Sequence, residues 1–159
     1  MASELFKLVD DWSKARLTGV EWRRNEPPLH TLHFTYGIQN QAFKVFLELD
    51  EASDFVGIFA YAPISVPATK CEAVCELMMR LNWRLRFGCL QMDYQDGQMR
   101  YFHGIDVEDG QLSATMLDNM LGAAGNTFDE AFSLIMRAIY SQESPQQVLE
   151  DFEEHLVLH

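Results

Sequence analysis

Three consecutive runs of alternating apolar and polar residues most strongly limit what this chain can fold into. The runs cover residues 29–36, 41–49 and 54–62, and residues that favour turns separate them at 37–40 and 50–53. Alternation places every second side chain on the same face of a β-strand. Because connections this short join antiparallel neighbours, the runs predict a three-stranded meander with one apolar face.

The lengths of the two connections also predict which residues of the meander lie opposite each other. The predicted cross-strand pairs are Leu32–Val45, Phe34–Phe43, Val45–Ile58 and Leu47–Val56. All of these residues are apolar, and all of them lie on the same face of the sheet. The hydrophobic pattern and the register therefore agree without adjustment.

A second hairpin is predicted around Asp96-Gly97, a dipeptide that accepts the two positive φ angles of a type I′ turn. The predicted pairs are Leu90–His103, Met92–Tyr101, Tyr94–Met99 and Asp93–Arg100. The apolar residues change phase at Gly88, which predicts a β-bulge near that residue.

Helical periodicity occurs before, between and after the strands. Ser3 is predicted to cap an amphipathic helix, and Pro67 suits the first turn of a second helix with a single apolar stripe. That stripe consists of Cys71, Val74, Leu77, Met78 and Leu81. Three short C-terminal helices are predicted from the capping residues Ser113, Thr127 and Ser144, with Glu130 completing a capping box at Thr127. The order α-βββ-α-ββ-ααα predicts one antiparallel α+β domain over residues 1–159.

The charge of the chain disfavours polyanionic partners. The 159 residues include 24 acidic and 12 basic side chains, a formal net charge of −12. An acidic protein repels phosphate groups, so neither nucleic acid nor an anionic membrane is an expected partner. Most of the excess lies after residue 104, where Arg137 is the one basic residue. Such acids are typical of solvated helix faces, or alternatively of a surface that steers a basic partner.

The chain is expected to be soluble and cytoplasmic. No apolar run approaches the length of about 18 residues that a membrane-spanning helix requires. Its first twelve residues contain Glu4, Asp10 and Asp11, whereas a signal peptide begins with basic residues. The odd number of cysteines favours reduced thiols over a disulfide framework.

The cysteines and the paired glutamates give little sign of catalysis or metal binding. Cys71 and Cys75 share a helix face but are expected to be small buried apolar residues. Cys89 has no adjacent base that would activate it as a nucleophile. Glu72 and Glu76 are expected to be ordinary solvated charges rather than an acid/base pair. The sequence therefore predicts no cofactor and no metal.

The histidines do not form a convincing ligand set either. His30 and His33 differ by an odd number on one predicted strand, so their side chains point to opposite faces. His103 is expected to be a hydrogen-bonded core residue. His155 and His159 lie four residues apart near the end of the chain, which is too weak a pattern to predict a metal site.

The second face of the predicted sheet requires a covering. The register places a set of aromatic residues on it: Phe46, Phe55, Phe59, Tyr61 and Phe102. Because each aromatic side chain buries about 150–250 Å², the patch exceeds what a monomer usually leaves in water. One of the chain's own helices, a second copy, or a segment of another protein could cover it. A polar rim is predicted from Lys44, Arg84, Arg86 and Arg100.

Several short pieces between Pro67 and Leu149 occur in an order that carries a family resemblance. They are Leu77–Asn82, Leu85–Gly88, Asp93–Gly97, Arg100-Tyr101, Leu112-Ser113, Ile139-Tyr140 and Ser144-Pro145. Taken together, the stretch resembles the YbjN family, a bacterial family described as regulators of sensory transduction and related in fold to type III secretion chaperones. No single piece is a catalytic signature.

The resemblance implies an α/β sandwich that dimerises and binds proteins, with no catalytic residues to transfer. The first hypothesis is therefore a non-enzymatic cytoplasmic homodimer that binds an unidentified protein partner, as a chaperone or a regulator does. The alternative is a small-molecule sensor, or an enzyme, with a pocket between the sheet and the helices.

Overall fold

Helices and strands alternate along the computed structural model, which describes residues 3–38, 41–108 and 111–156. Within these ranges there are four α-helices and six β-strands, together with a short 3-10 helix at Ala68–Lys70. The bounds are α1 Glu4–Arg16, β1 Glu21–Glu26, β2 Leu29–Gly37, β3 Ala42–Asp50, β4 Phe55–Ser65, α2 Cys71–Asn82, β5 Cys89–Met92, β6 Gln98–Asp106, α3 Ala114–Tyr140 and α4 Pro145–Leu156.

The six described strands form one sheet in the order β1-β2-β3-β4-β6-β5, and every pair of neighbours is antiparallel. The predicted α+β class is confirmed, as is the succession of helix, meander, helix, hairpin and C-terminal helices. The second hairpin joins the meander through β6, which lies beside β4. Consequently β1 and β5 are the two edge strands.

Strand β1 is an addition to the predicted order. It pairs with β2, and Pro27 and Pro28 form the two-residue turn between them. All of its side chains are exposed except that of Trp22, which is half-buried. Apart from Trp22, whose ring lies 5.0 Å from that of Phe6 in α1, the strand faces solvent, so its sequence carries no period of two.

All three predicted registers differ from the observed ones by two residues. The observed pairs are Leu32–Leu47, Phe34–Val45, Val45–Ala60, Leu47–Ile58, Leu90–Tyr101, Met92–Met99 and Gln91–Arg100. The predicted opposition of Asp93 and Arg100 is therefore wrong. Because side chains alternate with a period of two, this shift leaves every residue on its predicted face.

The turns explain the shifted registers of the meander. The N–H of Ile38 donates a hydrogen bond to the carbonyl of Gln41 at 3.0 Å, so pairing continues into the predicted 37–40 connection. In the next turn the Asp50 carboxylate accepts hydrogen bonds from the N–H of Ala52 and the hydroxyl of Ser53. This capping moves the turn to residues 51–54.

The turn of the second hairpin is wider than the predicted two-residue turn. The N–H of Asp93 donates to the carbonyl of Gln98, and the N–H of Gly97 donates to the carbonyl of Asp93. Only Gly97 in this turn has a positive φ, at 71°. The connection therefore spans residues 94–97 and is not a type I′ turn at Asp96-Gly97.

The β-bulge predicted near Gly88 is also absent from the described strands. Strand β5 begins at Cys89, and the residues before it form a loop in which Gly88 has a φ of 66°. A Cβ atom on Gly88 would lie 2.2 Å from the Tyr101 hydroxyl, which donates to the carbonyl of Phe87. The alternation of apolar residues therefore changes phase at Gly88 because the loop ends there and β5 begins at the next residue.

The capping residues fix most of the helix ends. The Ser3 and Ser113 hydroxyls accept hydrogen bonds from the third residue of α1 and α3, and Ser144 and Gln147 form the predicted capping box of α4. The helix boundary predicted at Thr127 is wrong, because α3 continues through it. An apolar stripe that remains in phase on both sides of Thr127 favours one long helix.

The helices cover one face of the sheet, here called the inner face. At its centre the ring of Phe43 stacks on Phe128 of α3 at 4.6 Å, and Phe132 meets Phe43 edge-on at 6.2 Å. The predicted stripe of α2 is buried, and α1 is tied to α3 by a hydrogen bond of 2.9 Å from the Trp12 indole N–H to Asp118. The aromatic side chains of the opposite face lie away from this core.

Two glycine-to-alanine substitutions should change the free energy of unfolding in opposite directions. A Cβ atom at Gly97 would lie 2.2 Å from the Val66 carbonyl oxygen at a positive φ, so Gly97→Ala should lower the free energy of unfolding by more than about 2 kcal/mol. A Cβ atom at Gly122 in α3 meets nothing within 4 Å, so Gly122→Ala should raise it by about 0.5–1 kcal/mol. Urea denaturation measures both. Equal stability of the two variants would contradict the described turn.

Candidate functional site

The face of the sheet opposite the helices, here called the outer face, carries a row of aromatic rings across four strands. His33, Phe46, Phe59 and Phe102 lie directly opposite one another on β2, β3, β4 and β6. We call these four residues the central row. All four side chains are half-buried, although their strand neighbours on the inner face are buried except for His103, which is half-buried.

The rings of the outer face shield one another only partly. His33 and Phe46 have ring centroids 4.9 Å apart, and Phe59 and Phe102 are stacked at the same distance. Tyr61 meets Phe46 edge-on at 5.6 Å. These contacts bury the sides of the rings, while the surface of the row stays in contact with solvent.

Two glycines opposite each other make room for a further ring. Gly57 on β4 pairs with Gly104 on β6, and a Cβ atom on either residue would lie 2.6 Å from the Phe55 ring. The ring therefore lies flat across both glycines, and it is stacked on Phe102 at 6.4 Å. This arrangement extends the aromatic surface beyond the central row without a protruding side chain.

Arg100 lies on the outer face itself, not only at its rim. Its guanidinium carbon is 4.9 Å from the centroid of Phe59 and 5.8 Å from that of Tyr61. It donates hydrogen bonds to the Tyr61 hydroxyl at 3.0 Å and to Gln91 Oε1 at 2.7 Å. A cation held over two rings is fixed in place and stays available to a partner.

The charges of the outer face separate along the strands. On the four central strands, Lys44 and Arg100 lie two residues to one side of the central row. The acids Glu48, Asp50 and Asp106 lie two or four residues to the other side. Lys44 and Glu48 are exposed, are about 13 Å apart along β3, and form no ion pair with any described residue.

Two shallow depressions flank Tyr61 and Gln98 on this face. One has a volume of about 700 Å³ and is lined in part by Phe46, Pro63 and Ile64, where β4 leaves regular pairing with β6. The other has a volume of about 660 Å³ and is lined in part by Arg100. Further depressions lie beside α1. All are open grooves, unlike the pocket between sheet and helices that the alternative hypothesis requires.

The structure places the three cysteines as separate free thiols. Cys71 is buried with its sulfur 3.6 Å from the Pro67 carbonyl oxygen, whereas Cys75 and Cys89 are half-buried. A hydrogen bond with Cys75 raises the pKa of Tyr94 above its usual value. Among the described residues, no group of three or more histidine, cysteine, aspartate or glutamate side chains is arranged to hold a metal ion.

His30 and His33 point to opposite faces, as their spacing predicted. His30 is buried, with Nδ1 2.9 Å from Asn25 Oδ1 and Nε2 3.3 Å from Glu51 Oε1. His33 belongs to the central row. The pair His155 and His159 lies outside the residues whose side chains are described.

His103 differs from the predicted hydrogen-bonded core residue. It lies opposite Ile58 rather than Leu90, and its ring stacks on Phe87 at 5.8 Å. It is half-buried, and its Nδ1 has no hydrogen-bond partner among the described residues. Burial lowers the pKa of His103 below its usual value.

A second exposed apolar surface, not expected from the sequence, lies at the end of α2. Met79 and Trp83 lie one helical turn apart, and 65% and 92% of their surfaces are exposed. Arg84 and Arg86, both predicted as rim residues, are exposed in the loop that leads from Trp83 into β5. Met79 directly follows the buried Met78, and Trp83 lies two residues after the buried Leu81, so the local apolar pattern does not set them apart from the core.

Comparisons with known proteins agree with the resemblance noted in the sequence. The model of the YbjN family, described as "Putative bacterial sensory transduction regulator", matches residues 18–136, about three quarters of the chain. No curated protein matches. A solved chain from "Structure of the HopA1-SchA Chaperone-Effector Complex" is similar at 15% sequence identity with a TM-score of 0.49. The match covers 81% of this chain and 91% of that one.

None of the helices in the described ranges combines the length and the apolar composition that a membrane crossing requires.

Replacing one ring on each face distinguishes core from surface. Phe43→Ser removes a fully buried ring and should lower the free energy of unfolding by about 3–5 kcal/mol. Phe59→Ser removes a half-buried ring, so the loss should be roughly half as large. Urea denaturation at a concentration where the protein is monomeric measures both. A larger loss for Phe59→Ser would show that the outer face is covered within the monomer.

The pH dependence of stability tests the environment of His103. Because burial lowers its folded-state pKa, the unfolded chain takes up a proton first as the pH falls through the usual histidine value of about 6.5. Stability should therefore be lower at pH 5.5 than at pH 7.5, and His103→Gln should reduce that difference. His33→Gln is the control and should retain the part that His103 contributes. An unchanged difference in His103→Gln would contradict the lowered pKa.

Proposed function

Since the chain belongs to the YbjN family, we propose that it is a non-enzymatic protein-binding domain with a regulatory or chaperone-like role, acting as a homodimer in the bacterial cytoplasm. In this proposal residues 1–159 form a single domain. The family description supports the regulatory role, because it names sensory transduction and no reaction. The protein partner is unidentified, and no nucleic acid, membrane or cofactor takes part.

The single observation that carries the proposal is the set of partly exposed aromatic side chains on the outer face. Its five aromatic residues are Phe46, Phe55, Phe59, Tyr61 and Phe102, and all five are half-buried. The inner face is already covered by α3, so among the described elements the outer face is the uncovered side of the sheet. Aromatic residues and arginine are enriched where protein interfaces gain most of their binding energy.

The size of the outer face fits a stable interface. The four central strands have nine to eleven residues and are about 30 Å long, whereas the edge strands β1 and β5 have six and four residues. With six strands across about 24 Å, the face measures at most roughly 700 Å², which is of the order of the roughly 800 Å² that each partner buries in a standard protein interface. Hence a second copy could cover most of this face.

The net charge of the chain requires a local gain at the contact between two copies. With a net charge of −12, two copies repel each other at long range, so the contact must gain from apolar burial and from local charge pairing. Arg100, fixed over Phe59 and Tyr61, supplies both at the centre of the face.

The double variant Phe55→Ser plus Phe59→Ser tests this proposal. Light scattering should give the wild type twice the chain mass of 18.3 kDa and the double variant a single chain mass, with a cooperative melt retained. Tyr140→Ser, an exposed aromatic substitution at the end of α3, is the matched control and should remain dimeric.

The same three proteins serve as bait in a pull-down from native cell lysate, with bound proteins identified by mass spectrometry. A partner held by the wild type and the Tyr140→Ser control, but lost from the double variant, supports binding through the outer face. A wild type that is monomeric and retains no protein through this face would overturn the proposal.

A further inference from the structure

The charge pattern of the outer face restricts how two copies can meet. Lys44 and Glu48 lie on the same strand, each two residues from Phe46 of the central row. Arg100 lies on the Lys44 side, and Asp106 lies on the Glu48 side. Across the four central strands, one half of the face is therefore basic and the other half is acidic, while Arg24 of the edge strand β1 lies opposite Thr31 on the acidic side.

A two-fold axis that stacks two outer faces must lie parallel to them, and its direction decides which halves meet. An axis along the strands places basic over basic and acidic over acidic. An axis along the central row reverses the strand direction of the second copy and places each basic half over an acidic half. Only the second arrangement is electrostatically complementary.

We propose that two copies of this chain stack outer face to outer face about a two-fold axis along the central row, so that Lys44 of each copy pairs with Glu48 of the other. This inference rests on the homodimer of the proposed function and specifies its geometry. Because the axis passes through Phe46, residues two positions before and after it exchange places between the copies.

The same operation brings complementary surfaces together beside these pairs. Tyr61 and Arg100 lie on the Lys44 side of the axis, and Gly57 and Gly104 lie at the equivalent positions on its other side. The surface over both glycines is the flat ring of Phe55. Each guanidinium therefore meets an aromatic ring of the other copy, and the four rings of each central row meet their counterparts.

The exposure of Lys44 and Glu48 in a single chain favours a second copy of this chain, rather than a different protein, as the occupant of the outer face. Both are exposed, and neither has an ion-pair partner among the described residues. At about 13 Å apart they cannot pair within their own strand. A two-fold dimer forms two equivalent ion pairs, each between Lys44 of one copy and Glu48 of the other, so both residues gain a partner that the chain itself supplies.

Charge reversal tests the arrangement directly. Lys44→Glu and Glu48→Lys each place two like-charged pairs in the dimer, so each variant alone should dimerise roughly 100-fold more weakly than the wild type. The combined variant K44E/E48K restores opposite charges across the axis and should recover most of the wild-type affinity. Sedimentation equilibrium at low and high salt measures each dissociation constant.

An equimolar mixture of the two single variants gives the most specific test. One chain then has acidic residues at both positions and the other has basic residues at both, so they should form a heterodimer at a concentration where each variant alone is monomeric. Lys7→Glu on α1 and Glu130→Lys on α3 change exposed residues by the same charge away from this face. These controls should leave the dissociation constant unchanged.

The outcomes distinguish this inference from the proposed function. If single variants remain dimeric, or if the mixture forms no heterodimer, the arrangement is overturned. The homodimer of the proposed function then still stands provided that Phe55→Ser plus Phe59→Ser dissociates it. A monomeric wild type overturns the arrangement and leaves the pull-down as the test of whether another protein occupies the face.

Discussion

The packing of α3 across the inner face of the sheet is the interaction on which the rest of the structure depends. Phe43 stacks on Phe128, and the long apolar stripe of α3 extends this contact along one side of the sheet. Because an antiparallel strand alternates its side chains, residues that point into this contact force their neighbours to the opposite side. The aromatic outer face is therefore a direct consequence of how the inner face is buried.

On that outer face, aromatic and charged residues have complementary roles. The central row supplies apolar area, and Gly57 with Gly104 lets the Phe55 ring lie flat instead of protruding. Tyr61 accepts a hydrogen bond from the Arg100 guanidinium and holds that cation on the same surface. The result is a smooth, half-buried surface with opposite charges at its two ends. In the proposed homodimer of a chain with a net charge of −12, this local separation of charge would offset part of the long-range repulsion.

Some predictions from the sequence held because they depend on periodicity. The buried stripe of α2, from Cys71 to Leu81, follows from its spacing, and so does the division of the sheet residues between two faces. The registers did not follow, since hydrogen bonds made by Ile38, Asp50 and Asp93 decide where each turn begins. A shift of two residues preserves the faces, so the hydrophobic pattern could not reveal it.

By itself, the sequence determined the α+β class, the helix starts at Ser3, Ser113 and Ser144, and the membership of the aromatic face, because periodicity and capping act over short stretches of chain. The tertiary structure alone decided that β1 completes the sheet, that α3 runs unbroken through Thr127, and that Arg100 lies over Phe59. Each of these depends on residues far apart in sequence. Polar β1 needs a neighbouring strand, α3 needs the whole sheet to pack on, and Arg100 needs the register of β4 against β6.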